Sequence, residues 1–181
     1  MAENFAQFST SEITIRKVSA HELPQLVELS RYTFDHTYQA YNDPADMQFY
    51  LDTYLNAISL TKEWQNIDND FFIAWNNHQP VGYCKLARNT QPDGLAIQLG
   101  LEIGRLYVIQ TFKKTGIGQQ FIQLAKNVAR QYGLKYLWLI VWQQNTAAIQ
   151  FYQKQGFVIV GTQQFKLGKD IQSDWIMQLA I

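Results

Sequence analysis

An α/β domain with a mixed sheet is the fold class that the sequence predicts, and three observations predict it. Seven short runs are either alternating or rich in β-branched and aromatic residues, as strands are. Four segments with apolar residues at threes and fours interleave with them, giving the order β-α-α-β-β-β-α-β-α-β-β, an α/β layout. A chain of 181 residues with 47% hydrophobic content suits one domain, residues 1–181, with its own core.

The elements follow in order. Ile13 to Val18 alternates apolar and polar residues and reads as the first strand. Ser19 and Glu22 have the spacing of a capping box, whereas Pro24 points to a helix that starts a residue or two later. The first helix then carries Leu23, Leu26, Val27, Leu29 and Ser30 into an aromatic and acidic segment from Tyr32 to Tyr41. Asp43-Pro44 opens a second helix, as an N-cap followed by proline at its first position, and Met47, Tyr50, Leu51, Tyr54 and Leu55 continue it. Phe71 to Trp75 and Pro80 to Leu86 flank the turn Asn76-Asn77-His78-Gln79 as a hairpin. Leu101 to Val108 is the fourth strand. A third helix runs from Gly118 to Tyr132 through Phe121, Leu124, Ala125, Val128 and Ala129, with Gly133 as its cap. Tyr136 to Val141 is an unbroken apolar run that suits a buried central strand. A short helix from about Thr146 to Gln155 ends at Gly156, and strands at Phe157–Thr162 and Trp175–Ala180 complete the chain.

Composition narrows the function classes. Cys84 is the one cysteine, so no intrachain disulfide or cysteine metal cluster forms, and it reads as a core residue. His21, His36 and His78 are scattered without metal-ligand spacing, so no metal is expected. The net charge is zero, which argues against nucleic acid as the main partner. No apolar run reaches the roughly 20 residues of a membrane span. The opening Met-Ala-Glu-Asn-Phe-Ala-Gln lacks a basic stretch followed by an apolar one, so a cytoplasmic protein without membrane attachment is expected. Charge is nonetheless split: residues 1–100 carry 6 Lys/Arg against 12 Asp/Glu, and the remainder 9 against 3. An anionic ligand at one end and a cationic one at the other would produce this division; so would solvated faces alone.

The most informative stretch is the turn Lys113-Lys114-Thr115-Gly116-Ile117-Gly118 between strand and helix. Two lysines and two glycines at a helix N-terminus offer backbone N–H groups, a positive dipole end and fixed cations, which suits a diphosphate. Glycines also occur in such turns for steric reasons alone, and on the turn by itself the two readings stand level. A dinucleotide fingerprint does not fit, because Phe121 stands at the third glycine position and no acidic residue follows at about twenty residues. A Walker loop is excluded by the absence of Gly-Lys-Ser/Thr.

That turn resembles the Gln/Arg-x-x-Gly-x-Gly/Ala coenzyme A loop of the GCN5-related N-acetyltransferase (GNAT) superfamily. The run from Asn145 to Phe157, with Phe151-Tyr152-Gln153-Lys154-Gln155-Gly156-Phe157, is similar to that family's Asn…Phe-Tyr-x-Lys-x-Gly-Phe segment. The similarity extends from about Ile13 to the end of the chain. Lys113 departs from the usual Gln or Arg, keeping the charge but losing the planar fork. The resemblance implies a mostly antiparallel sheet flanked by helices, acetyl-CoA as cosubstrate and a small amine as acceptor; a homodimer is compatible with it. It assigns cofactor binding to Leu106, Tyr107 and Val108, whose main chain would pair with the pantetheine amides, to Lys113, Lys114, Thr115, Gly116, Ile117 and Gly118, and to Asn145 and Lys154. A freed N–H at Val108 would serve the oxyanion.

An alkylammonium lies about 4.6 kcal/mol from its neutral form at pH 7, so a positioned base is useful. In histone-acetylating relatives a glutamate eleven residues before the loop serves as base, and here that position is Glu102, the sole acidic residue between Asp93 and Asp170. An exposed strand glutamate, with ordered water as base, is the other reading. Tyr152 matches the family's tyrosine that protonates the departing thiolate; it lies seven residues from Asn145, two helical turns along one face. The segment Phe165 to Met177, with Tyr32-Thr33-Phe34, looks like bacterial spermidine/spermine N-acetyltransferases. Glu28, Asp35, Asp43 and Asp46 with Tyr32, Tyr38 and Tyr41 would then hold a polycation. A protein N-terminus, a lysine, another small amine, or a catalytically silent acetyl-CoA-binding module are the alternatives.

Overall fold

The computed structural model describes residues 13–167 and 170–181; the amino-terminal stretch read for a targeting signal and the pair Gly168-Lys169 lie outside the described residues. In chain order the elements are β1 (Ile13–Lys17), α1 (Leu23–Tyr38), α2 (Pro44–Tyr54), α3 (Ala57–Gln65), β2 (Asn69–Asn76), β3 (Gln79–Ala87), β4 (Gly100–Val108), α4 (Ile117–Gln131), β5 (Tyr136–Trp142), α5 (Thr146–Lys154), β6 (Val158–Leu167) and β7 (Asp170–Ala180). The strands form one sheet in the order β1-β2-β3-β4-β5-β7-β6. Every neighbouring pair is antiparallel except β4 with β5. The expected mixed, mostly antiparallel α/β sheet flanked by helices is the fold found.

Local sequence accounts for the punctuation. Glu22 accepts hydrogen bonds from the Ser19 amide at 2.9 Å and the Ser19 hydroxyl at 2.5 Å, closing a single 3-10 turn ahead of α1. Asp43 caps α2, its Oδ1 accepting from Ala45 N–H at 2.8 Å and Asp46 N–H at 3.3 Å. Gly133, at φ +67°, ends α4 in the left-handed conformation that glycine adopts at least cost.

Two features exceed the sequence expectation. Helix α3 was not anticipated, because Leu60 is its one fully buried side chain and Ile58 is exposed, which leaves little periodic signal. Its start is marked by Asn56, whose side chain accepts from Ser59 N–H at 2.8 Å. Strands β6 and β7 also run well beyond the expected Phe157–Thr162 and Trp175–Ala180, pairing from Val158 with Gln178 to Phe165 with Gln172 and onward. Polar residues in their extended arms mask the strand pattern.

Both faces of the sheet are covered. Helix α4 buries Ile117, Phe121, Ile122, Ala125, Val128 and Ala129 against Phe72, Cys84, Leu101, Leu139 and Met177. Each large apolar side chain so buried contributes about 1.5–3 kcal/mol. On the other face, Leu26 and Leu29 of α1 meet Phe71, Ile73, Trp75 and Tyr83, the alternate residues of β2 and β3.

The feature that makes room for a site lies at the centre. Strands β4 and β5 pair only at Gly100–Tyr136, Leu101–Leu137 and Glu102–Trp138, then part. Immediately beyond, Gly104 is an extra residue between the Leu86–Ile103 and Lys85–Arg105 pairs, a bulge that bends β4 away from β5. From there to Val108 one edge of β4 has no partner strand.

Candidate active site

The parted strands open a cavity of about 440 Å³. Its walls are β4 from Ile103 to Val108, the turn residues Lys113, Lys114, Gly116 and Gly118, and Asn145, Ala148, Phe151 and Tyr152 of the α5 region. Two segments distant in sequence therefore share one wall each. What draws them together is Gly118, where a Cβ would come within 3.0 Å of the Phe151 ring. Gly116 sits at φ +91°, a left-handed conformation that favours glycine. With Lys114 also at φ +66°, the turn folds so that the amides from Lys114 to Gln119 find no acceptor among the described residues. The first helical bond is Gln120 N–H to the Gly116 carbonyl. Free amides, a helix N-terminus and two exposed lysines suit an anionic diphosphate.

The β4 edge divides its groups by alternation. Ile109 N–H bonds the Val81 carbonyl at 2.9 Å, and the Tyr107 carbonyl packs on Gly82, where a Cβ would meet it at 2.8 Å. Tyr107 thus commits its main chain to β3, whereas Leu106 and Val108 turn theirs toward the gap. Of the three expected strand contacts, two are available to an added strand. Three other sequence-predicted cofactor residues do not offer side chains to the cavity. The Thr115 hydroxyl donates to the Phe112 carbonyl at 2.7 Å, Ile117 is buried beneath α4, and Lys154 is exposed in the last turn of α5, beyond the cavity lining. For Ile117 the amide remains in the turn; Lys154 simply falls on the outer face of its helix.

Asn145 caps α5, its Oδ1 accepting from Ala148 N–H at 3.2 Å, and it lines the cavity one face along from Tyr152. Tyr152 is 8% exposed, packed edge-on against Phe151 and Phe157, and its hydroxyl has no partner among the described residues. Burial pushes its phenol well above the ordinary value, with Cys84 and Tyr38 adding to the effect. Burial also raises the Cys84 thiol, so the surroundings disfavour a thiolate as they do a phenolate.

Glu102 is not in this cavity but in a second one of about 190 Å³ on the far side of the same wall. Tyr38, Gly104, Arg105, Tyr107 and Ile140 line both, so the two are contiguous through the split sheet. Burial pushes the Glu102 carboxyl above its ordinary value, as a base requires. A second carboxylate, Asp174, shares the space. It is 6% exposed, its Oδ1 is buried without a hydrogen-bond partner, and burial raises it to about 6. Arg105 is matched by Glu63 of α3, which binds its two terminal nitrogens at 3.0 Å each and Lys85 at 2.6 Å. Burial pushes the Glu63 carboxyl up, but Arg105 and Lys85 outweigh it and hold it below its usual value. The unanticipated helix therefore neutralises the cation nearest the pocket.

The acidic and aromatic set proposed from sequence for a polycation is not assembled. Of that set Tyr38 alone lines either of these two cavities, and Tyr41 meets Trp142 of the second one edge-on at 5.2 Å. Leu26, Leu29, Ser30, Thr33 and Phe34 form the buried stripe of α1, which turns Glu28 and Tyr32 outward, and Asp43 is occupied in capping α2. Phe165, Gln172 and Asp174, which lie in the segment that carries the spermidine/spermine acetyltransferase resemblance but have no site role from the sequence, line the second cavity together with Gln163, which the sequence does not single out. Gln172, Ser173 and Asp174 are all polar, so the alternate burial of Gln172 and Asp174 leaves no mark in the sequence. Among the described residues, no group of three or more His, Cys, Asp or Glu is placed to hold a metal, and no helix is long and apolar enough to cross a membrane.

Comparison with known proteins agrees with this geometry. The family model described as acetyltransferase (GNAT) family matches residues 30–157. An uncharacterized N-acetyltransferase of Lactobacillus delbrueckii subsp. lactis is 32% identical over 173 residues, covering 93% of this chain and 98% of that protein. A spermidine N(1)-acetyltransferase of Thermoplasma acidophilum is 26% identical over 156 residues, 83% of this chain and 91% of its own. The crystal structure of the PaiA N-acetyltransferase of Thermoplasma acidophilum with coenzyme A superposes with a TM-score of 0.78 at 25% identity, covering 94% of this chain and 99% of that one.

Proposed function

The chain belongs to the acetyltransferase (GNAT) family and is an acetyl-CoA-dependent N-acetyltransferase; from that premise we propose that its acceptor is a primary amine of the polyamine type, such as spermidine or spermine. The observation that carries this reading is the shared wall of β4, with a cavity suited to an anion-bearing donor on one side and a carboxylate-lined, aromatic one on the other. The spermidine N(1)-acetyltransferase among its relatives points the same way.

Acetyl-CoA supplies the activated acetyl thioester. Lys113, Lys114 and the free amides from Lys114 to Gln119 hold the diphosphate, and the Leu106 and Val108 edge pairs with the pantetheine amides like an added strand. Asn145 orients the end nearest Tyr152. Glu102 takes a proton from the acceptor ammonium, which neutralises it for attack, and Val108 N–H faces the oxygen on which negative charge develops. Tyr152 gives its proton to the departing sulfur. An ordinary phenol donating to an ordinary thiolate is uphill by roughly 2 kcal/mol, and burial raises the demand of both groups together.

A coupled thiol-release assay over a panel of amines tests the acceptor. Spermidine is expected to exceed a neutral-chain amine of similar length by about 10-fold or more in kcat/KM, the effect of one additional satisfied charge. Equal values for the two would remove the polyamine assignment and leave a lysine, a protein N-terminus or another small amine.

A further inference from the structure

Asp174 stands in the second cavity with no assigned duty. The pairing of β7 with β5 places it beside Trp142, and that with β6 beside Gln163, so the three project from one face of the sheet. Around them Phe34 stacks on Tyr50 at 4.4 Å, Tyr50 meets Phe165 edge-on at 5.9 Å, and Trp142 meets Tyr38 at 6.1 Å. A carboxylate oxygen buried among aromatic rings without a partner is costly to maintain in a folded protein. The cost is recovered when a ligand brings a positive charge and N–H donors. Arg105 does not serve, being held by Glu63. Glu102 lies in the same cavity next to the reacting wall, with Gly104 beside its carboxylate. The pocket therefore presents two carboxylates, and one of them stands off the β4 edge.

We infer that Asp174 binds a second ammonium group of the acceptor, so that the enzyme selects short diamines and longer polyamines over monoamines. Trp142, Tyr38 and Tyr50 flank that ammonium and its alkyl chain, while the amine to be acetylated reaches Glu102. The inference rests on the second cavity being the acceptor site.

The test compares kcat/KM for a short α,ω-diaminoalkane and for the monoaminoalkane of equal chain length, in the wild type and in Asp174→Asn and Asp174→Glu. The wild type is expected to favour the diamine by about 10-fold or more, Asp174→Asn to lose most of that ratio through KM, and Asp174→Glu to restore part of it. Asp174→Asn is also expected to melt no lower than the wild type at neutral pH, since it removes a buried unpaired charge. An unchanged ratio in Asp174→Asn, or a loss that falls on kcat equally for both amines, would overturn the inference. Absence of turnover with every amine would instead strike the acceptor assignment. Calorimetric titration of the diaminoalkane onto the coenzyme A complex then still decides Asp174: weaker binding by Asp174→Asn supports the role, and equal binding refutes it.

Discussion

Replacing Tyr152 by phenylalanine is expected to lower kcat about 10²-fold while acetyl-CoA binds with almost unchanged affinity. The hydroxyl has no partner among the described residues, so its removal leaves no orphaned group and no cavity of consequence. What it removes is the one proton donor that α5 presents to the cavity beside Asn145. Because burial holds the phenol well above its ordinary value, it stays protonated across the working range. The ratio of wild-type to variant kcat should therefore be flat from about pH 6 to about pH 9. Steady-state kinetics with calorimetric titration of acetyl-CoA measures both quantities. An unchanged kcat would deny Tyr152 its role as acid.

Glu102→Gln carries the second large effect. A base acts only when ionised, so with Glu102 as the proposed base kcat/KM of the wild type is expected to fall as pH drops through the Glu102 value, which burial has moved above the usual carboxylate range. The variant is expected to lose about 10²-fold in kcat/KM near neutral pH and to lose that acidic limb altogether. Asp174 shares the cavity and also titrates high, at about 6, so the limb needs assignment by both variants. A limb that survives Glu102→Gln and disappears in Asp174→Asn would transfer the base duty to Asp174. A limb that survives both would leave deprotonation to water.

The form of the cavity proposed for the donor was legible in the sequence because it is built from backbone and glycine. Gly116 is needed for a left-handed turn and Gly118 for the approach of Phe151, and both requirements are written in the sequence as glycines. Tyr152 and Asn145 were legible for a related reason, lying seven residues apart on a short helix whose caps are local. The second cavity, proposed for the acceptor, was not. It is assembled from α1, α2, β4, β5 and a hairpin whose polar lining residues, Gln163, Gln172 and Asp174, interrupt the apolar pattern by which strands are read. The acidic residues Glu28, Asp35, Asp43 and Asp46 lie near one another in sequence, but helical rotation and capping turn them elsewhere. Charge density in a segment says little about which carboxylate is buried; that depends on the bulge at Gly104 and on the splitting of β4 from β5, neither of which has a local signature.

Acetyl transfer as proposed depends on the turn at residues 113–118 holding the diphosphate of coenzyme A and thereby directing its sulfur to Tyr152. A crystal soaked with coenzyme A measures this most directly. Diphosphate oxygens are expected within about 2.7–3.2 Å of amides between Lys114 and Gln119, with the sulfur at the Tyr152 hydroxyl. A diphosphate bound elsewhere, with those amides bonded to protein instead, would contradict that expectation.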